Sequence, residues 1–399
     1  MTVLDVPAHQ ATAHQALSRR FDDRPLLVFW ETTRACGLAC AHCRADAQPT
    51  AGPDELSTAE GMALIDELAA LGRPRPILIL TGGDCLQRPD LQDLVRHARR
   101  SQVPVAIAPS VTSLLTPPTL RGLRREGVRT ASLSLDGADP ATHDTVRGIP
   151  GHHRATLRAI AELRRQGFTV QVNTTVMRPN LEELADVAAL VREARVDIWE
   201  VFFLITTGRG TAVEATTAAE NEEVCHFLLD ASRYGFTVRT VEAPFFRRVA
   251  LDRAGDDGSP DRPTPTGPLH ARLRVRLEGR LGPATAPVRA PSAATRDGKG
   301  IVFVASDGAV HPSGFLPIHL GNIREESLLA IYRDHPLLQA IRAADFSGAC
   351  GRCSHADLCG GSRSRAYAAS GDPLGEDPGC ILTVAPGKDR PRAKPPVRP

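Results

Sequence analysis

Apolar residues in this chain come in short runs separated by amphipathic stretches of helical period. LLVFW (26–30) is a run of buried-strand type. Ser57 to Glu60 spells a helix-capping box, and Met62, Ile65, Leu68, Ala69 and Leu71 follow at helical spacing, with Gly72 as the stop. ILIL (77–80) is the next strand. The alternation continues with a helix over 90–100, strand 105–108, helix 116–126, strand 131–135, helix 154–166, strand 169–176, helix 181–194 and strand 198–205. A helix near 218–234 and a strand near 236–241 close the series. Six βα units in a row predict an α/β fold with a parallel sheet and helices outside it, as an open sheet or a full or partial barrel.

The pattern changes near residue 252. Residues 252–299 hold seven prolines and no Phe, Trp or Tyr, the composition of a linker or loop. Inside it, LHARLRVRLEGRL (269–281) alternates Leu269, Ala271, Leu273, Val275 and Leu277 with His270, Arg272, Arg274 and Arg276, and Arg280 precedes Leu281. Period two predicts a strand with one basic face. IVFVASDGAVHPSGF (301–315) predicts a hairpin turning at Asp307-Gly308, with short helices near 325–344 after it. The expected organisation is an N-terminal extension (1–25), a core (26–251), the linker (252–299), a cysteine-rich domain (300–383) and a tail (384–399).

With 399 residues and 42% hydrophobic content, the chain can bury a barrel-sized core beside a smaller domain. A net charge of +2 and 4% aromatics give no electrostatic or stacking reason to expect nucleic acid. No apolar run reaches membrane-spanning length and no signal-peptide core opens the chain, so the protein is read as cytoplasmic. Nine cysteines in a reducing compartment then point to metal or catalysis ahead of disulfides. Cys225, within a helical pattern, is most simply a core thiol.

Three cysteines, Cys36, Cys40 and Cys43, stand just past the first strand as C-x3-C-x2-C. Active sites of parallel α/β folds sit at such strand ends. Three thiolates hold three irons of a four-iron cluster and leave the fourth open; a partial zinc site or scattered core thiols are the alternatives. At the other end, Cys350, Cys353, Cys359 and Cys380 form C-x2-C-x5-C-x20-C, enough to close either a four-iron cluster or a zinc site.

The first group, followed by Gly82-Gly83-Asp84 after the second strand, resembles the radical S-adenosylmethionine (SAM) superfamily. The resemblance implies a partial (β/α)6 TIM-type barrel. It also implies a 4Fe-4S cluster whose open iron is chelated by SAM, and reductive cleavage of SAM to a 5′-deoxyadenosyl radical that abstracts hydrogen from substrate. On the same basis Gly82 and Gly83 let the backbone approach SAM, Asp84 accepts from its amino group, and Ser134, Asp136 and Asn173 contact it. TTGRG (206–210) resembles the segment lining the adenine. Cys85 stands where relatives often have proline, as a small neutral replacement or a functional thiol beside SAM.

The C-terminal part resembles the SPASM/twitch extension and implies an auxiliary 4Fe-4S cluster that carries electrons. Ser313 and Arg363 occupy positions where fuller SPASM domains have cysteine, so one auxiliary cluster is expected. The spacing of the last four cysteines, EAPFFRRV (242–249), HPSGF and GGSRSRAYAASGD (360–372) resemble radical SAM/SPASM proteins of the alternative haem pathway. These include the haem synthase that decarboxylates iron-coproporphyrin. The resemblance covers 26–251 and 300–383. It implies a tetrapyrrole substrate, with Arg247, Arg248 and the Arg272–Arg280 face as propionate forks and His311, His319 or another histidine as an iron ligand, and a reducing electron-donor protein as partner. The alternatives are a maturase acting on a ribosomally made peptide and a zinc-stapled scaffold without activity. Only about 25 residues precede the first strand, too few for a leader-binding domain, which lowers the maturase reading.

Overall fold

The computed structural model describes residues 21–255, 266–291 and 294–383. The expected tail and most of the N-terminal extension lie outside the described residues, as do 256–265 and 292–293 of the linker.

Seven parallel strands line up in chain order: β1 (Leu27–Glu31), β2 (Ile77–Thr81), β3 (Val105–Ile107), β4 (Thr130–Ser134), β5 (Thr169–Val176), β6 (Ile198–Phe203) and β7 (Thr237–Val241). Helices connect them, as the alternation predicted. The Ser57 capping box forms at the start of the Thr58–Ala70 helix. Side chains alternate along each strand. Val28, Trp30, Leu78, Leu80, Val170, Val172, Trp199 and Val201 are buried against the helices; the Trp30 ring lies against Gly61, where a Cβ would come within 2.4 Å of it. Their alternates, Phe29, Ile79, Gln171, Asn173, Glu200 and Phe202, are half-exposed and form the inner face.

The C-terminal part is built into the same sheet. β8 (Arg296–Asp297) pairs with β9 (Gly300–Val304), and β9 runs parallel to β1 with Leu27 opposite Ile301 and Phe29 opposite Phe303. β10 (Ala309–His311) returns antiparallel, and β11 (Gly321–Asn322) pairs with it. The turn between β9 and β10 is longer than two residues: Ala305 and Ala309 close it, with Gly308 at φ +86°. The result is a mixed α/β sheet in which β1 is internal, flanked by β2 and β9.

One expectation is overturned. Residues Pro268–Leu281 form an α-helix, not a basic strand. Leu269, Leu273 and Leu277 recur every four residues, which satisfies a period of two and a helix alike; packing on the Leu184–Glu193 and Ala218–Ala231 helices selects the helix. Its arginines are spent on the exterior: Arg272 pairs with Glu182 at 2.6 Å, Arg276 with Asp186 at 2.7 Å, and Arg280 with Asp186 and Glu193 at 3.2 and 3.1 Å. They are not propionate forks. The sequence reading also missed the helix Pro140–Arg147, which Asp139 caps through the Ala141 N–H and Gly148 ends in the left-handed conformation.

Candidate functional site

The loop after β1 is stitched to itself and to two neighbours. Within itself, the Cys36 N–H donates to Gln48 O at 2.8 Å and the Gln48 N–H to Arg34 O at 2.9 Å. The turn after β2 holds it from one side, with Gly83 N–H on Thr33 O at 2.9 Å and Asp84 N–H on Ala35 O at 2.7 Å. The segment after β6 holds the far end: the Arg209 N–H and Nε reach the carbonyls of Cys43 and Cys40, each at 3.0 Å. Cys36 and Cys40 are buried, Cys43 is half-buried, and all three gather with Leu38, Ala47 and Ile149. Cys36 Sγ accepts the Leu38 N–H at 3.4 Å, and burial raises its thiol pKa. Three thiols in one dry cluster fit three corners of an iron–sulfur cluster.

Several residues named from sequence have structural partners. A Cβ on Gly82 would stand 2.3 Å from Thr33 O and one on Gly83 2.4 Å from Ala35 O, so these glycines let the turn approach the cysteine loop itself. Gly208 of TTGRG does the same against Cys43 O and Arg44 O, at 2.6 and 2.5 Å. The buried Asp84 carboxylate accepts from Leu86 N–H, Ser110 N–H and Thr112 Oγ1 at 3.1, 3.2 and 2.8 Å. Cys85 is fully buried in the main core, its pKa pushed up by burial and by Asp84, which fits a packing thiol and not a reactive one. Ser134 and Asn173 stand opposite each other on β4 and β5. Gln171 Nε2 donates to Asn173 and to Glu200, both at 2.8 Å. Burial raises the Glu200 carboxyl pKa, while Arg239, opposite it on β7, opposes that shift.

Asp136 leads to a network that sequence reasoning did not find. Its side chain is fully buried, pairs with Arg147, accepts the Thr175 N–H at 2.8 Å and lies 3.6 Å from His42 Nε2. Burial alone would raise its pKa; the Arg147 charge overrides this and holds the carboxyl below its ordinary value. Arg147 then donates to Cys40 Sγ at 3.6 Å, placing a paired guanidinium behind a site thiol. The Asp136 N–H donates to His143 Nδ1, so His143 Nε2 carries the hydrogen and donates to His152 Nδ1 at 2.9 Å. The signal was present in S-L-D-G-x5-H-D-x2-R (134–147), but only the fold brings Arg147 to a cysteine 107 residues earlier.

The four C-terminal cysteines line one pocket, with Gly360, Gly361 and Arg248. Backbone N–H groups point at three of the sulfurs: Asp377 to Cys350 at 3.4 Å, His355 to Cys353 at 3.4 Å and Gly361 to Cys359 at 3.5 Å. Burial pushes the Cys359 thiol up to about 11 and the Cys380 thiol to about 12. Among the described residues no three His, Cys, Asp or Glu side chains converge on a single metal-ion site. Four thiols ringing a pocket with inward N–H donors suit a polynuclear cluster.

Guanidinium groups surround this pocket. Arg363, fully buried, donates to Cys350 Sγ at 3.7 Å and to Gly375 O at 2.6 Å, over the Phe346 ring at 4.4 Å. Arg296, also over the Phe346 ring at 5.1 Å, binds Asp357 O at 2.8 Å and Ile341 O at 3.0 Å. Arg247 and Arg248, expected as propionate forks, belong here too. Arg247 donates to the carbonyls of Leu358 and Thr295, and Arg248 pairs with Glu222 and Asp252. Arg247 thereby fastens the cluster domain, while Arg248 is committed to its own and the neighbouring helix. Cys225 is fully buried, and burial, with Glu222 beside it, raises its thiol pKa.

A model of the radical SAM superfamily matches residues 30–191, and the SPASM model, an iron–sulfur cluster-binding domain, matches 296–354. The AdoMet-dependent heme synthase of Methanosarcina barkeri is 36% identical over 366 residues, spanning 91% of this chain and 98% of that protein. The chain belongs to the radical SAM superfamily. The mycofactocin maturase MftC of Mycobacterium tuberculosis is a more distant relative, 29% identical over 90% of this chain and 83% of its own. Streptococcus suis SuiB, solved with its precursor peptide SuiA, shares the fold with a TM-score of 0.65 at 15% identity, covering 94% of this chain and 80% of SuiB. As a radical SAM enzyme the protein binds a 4Fe-4S cluster and SAM in its first domain, and its SPASM domain binds further iron–sulfur. Among the described residues, no helix of the enzyme is long and apolar enough to cross a membrane.

Proposed function

We propose that this radical SAM enzyme oxidatively decarboxylates propionate side chains of an iron porphyrin, as a haem synthase does. The observation that carries the reading is 36% identity spread over 98% of the length of a heme synthase, which includes both cysteine groups' domains. Converting a propionate to a vinyl group removes one hydrogen atom, one CO2 and one electron. When bound, the SAM-chelating cluster supplies the hydrogen-abstracting chemistry, and the auxiliary cluster suits the surplus electron.

In this reading Cys36, Cys40 and Cys43 hold the first cluster, and Cys350, Cys353, Cys359 and Cys380 the second. Gly82, Gly83 and Asp84 fix the loop that carries the first set. Asp136 orients Arg147 toward Cys40, and Ser134 and Asn173 stand on the inner face where SAM would lie. The polar inner face of β5 to β7 orients the substrate, and the barrel wall excludes water from it. A low-potential electron-donor protein completes the cycle.

Anaerobic incubation with iron-coproporphyrin, SAM and reductant, read by mass spectrometry, should give stepwise loss of carboxyl groups with one 5′-deoxyadenosine per loss. SAM cleavage with an unchanged porphyrin would overturn the assignment. The kinship to a maturase, MftC, makes a ribosomally made peptide the second substrate to try.

A further inference from the structure

A group of side chains at the mouth of the inner face has no part in holding either cysteine set. Phe303 on β9 is in register with Phe29 on β1 and directly opposite His311 on β10, so the three side chains share the inner face. Arg44, the residue after Cys43, lies over the Phe303 ring at 4.6 Å from its centroid. One of its amino groups meets Glu31 at 3.3 Å. The half-exposed Phe315 ring is 6.0 Å from the Arg44 guanidinium and 6.1 Å from Phe202 on β6. Half-buried Phe202, Phe315, Arg44 and His311 therefore converge beside the first cysteine loop, with the buried Phe303 ring beneath the Arg44 guanidinium.

The tautomer of His311 follows from its partner. Nδ1 lies 2.9 Å from the carbonyl oxygen of Ile318, which can only accept, so Nδ1 carries the hydrogen and Nε2 keeps its lone pair. An imidazole oriented through one nitrogen by a backbone carbonyl, with the other presented as a base, is the arrangement of metal-ligating histidines. Burial lowers its pKa, and His319 and Arg44 add to that, against the Ile318 carbonyl and Asp307; the neutral, ligating form is favoured. His319 lies edge-on to His311 with centroids 6.3 Å apart and is exposed.

We propose that His311 Nε2 is an axial ligand to the iron of a carboxylated iron porphyrin, whose ring rests against Phe202 and Phe315 and one of whose carboxylates is held by Arg44. The inference rests on the substrate reading above and deepens it. A flat macrocycle gains from aromatic faces, and a guanidinium that already shares one edge with Glu31 has further N–H donors for a carboxylate. Because Arg44 follows Cys43 directly, the carboxylate it holds would lie next to the SAM-binding cluster.

The test titrates the anaerobic holoenzyme with ferric coproporphyrin and, separately, with metal-free coproporphyrin, reading the porphyrin absorption and the iron EPR signal. The wild type should give a histidine-ligated iron spectrum. His311→Ala, with unchanged cluster iron content, should lose that spectrum and bind the ferric porphyrin about tenfold more weakly. Its affinity for the metal-free ring should stay within about twofold, and added imidazole should restore the spectrum. His319→Ala should behave as wild type. Wild-type spectrum and affinity in His311→Ala, or their loss in His319→Ala instead, overturns the assignment while leaving the substrate reading intact. If neither porphyrin binds the wild type, the substrate reading itself falls.

Discussion

Gly83→Ala isolates the contact on which the first cysteine loop depends. The new Cβ would stand 2.4 Å from Ala35 O and 2.7 Å from Arg34 O, both backbone atoms that cannot swing aside. Carbon–oxygen contacts become comfortable near 3.3 Å, so the loop must retreat by roughly 0.9 Å. That retreat stretches Gly83 N–H to Thr33 O and Asp84 N–H to Ala35 O, now 2.9 and 2.7 Å, to about 3.6–3.8 Å, where no hydrogen bond remains. Two bonds at about 1 kcal/mol each put the local cost near 2 kcal/mol. The functional cost is larger, because misplacing reacting groups by about 1 Å costs on the order of 10²-fold in rate. The assay is 5′-deoxyadenosine formation under reducing anaerobic conditions, with iron content measured alongside. Gly279→Ala is the control: its Cβ meets nothing within 4 Å in the Pro268–Leu281 helix, and it should stabilise by about 0.5–1 kcal/mol without touching activity. A Gly83→Ala enzyme with full iron and wild-type SAM cleavage would refute the reasoning.

Replacing Cys36, Cys40 and Cys43 together by Ala should cut reconstituted iron from about eight to about four per chain and abolish SAM cleavage; retained cleavage would remove the ligand assignment. Asp136→Ala leaves the buried Arg147 without its carboxylate and should cost about 3–5 kcal/mol in urea unfolding, and a loss under 1 kcal/mol would show that water reaches Arg147. Arg272→Glu should leave porphyrin affinity within about twofold, since that exposed arginine serves only a solvent-screened surface pair. Burial and the nearby arginine lower the buried His143 to about 3, and burial and Arg253 lower His226 to about 4. Each binds its proton more readily unfolded, so stability is full above about pH 6.5 and falls as pH drops toward 3–4, by up to about 1.4 kcal/mol per pH unit per histidine. Denaturation midpoints that stay flat from pH 7.5 to 5 would contradict this, and His143→Gln should flatten the slope.

Much of the barrel was legible because short strand-like runs alternate with amphipathic helical stretches, and the cysteine spacing carried the chemistry. What escaped the sequence did so for identifiable reasons. Leucines every fourth residue in 269–281 cannot distinguish two periods; the groove between two helices does. Asp139-Pro140 looks like a turn until Asp139 is seen capping a helix. Arg247 and Arg248 carry the charge expected of propionate forks, yet hold Leu358 O and Glu222 from positions at least 26 residues away. Gly82 and Gly83, assigned from sequence to SAM, also let their turn approach the cysteine loop, a contact that only the fold shows. His311 and His319 could not be told apart as candidates until the Nδ1 partner of His311 was known.

The parallel pairing of β9 with β1 bears on how such enzymes can be rearranged. Cutting the chain after residue 251 would strip one side of β1 and leave a row of unpaired N–H and C=O groups beside Val28 and Trp30, a template for aggregation. The segment that carries the second cysteine group therefore also chaperones the first. A chimera that exchanges C-terminal domains should remain monodisperse when the junction keeps Gly300–Val304 with the barrel, and should precipitate when the junction removes that strand without replacing it.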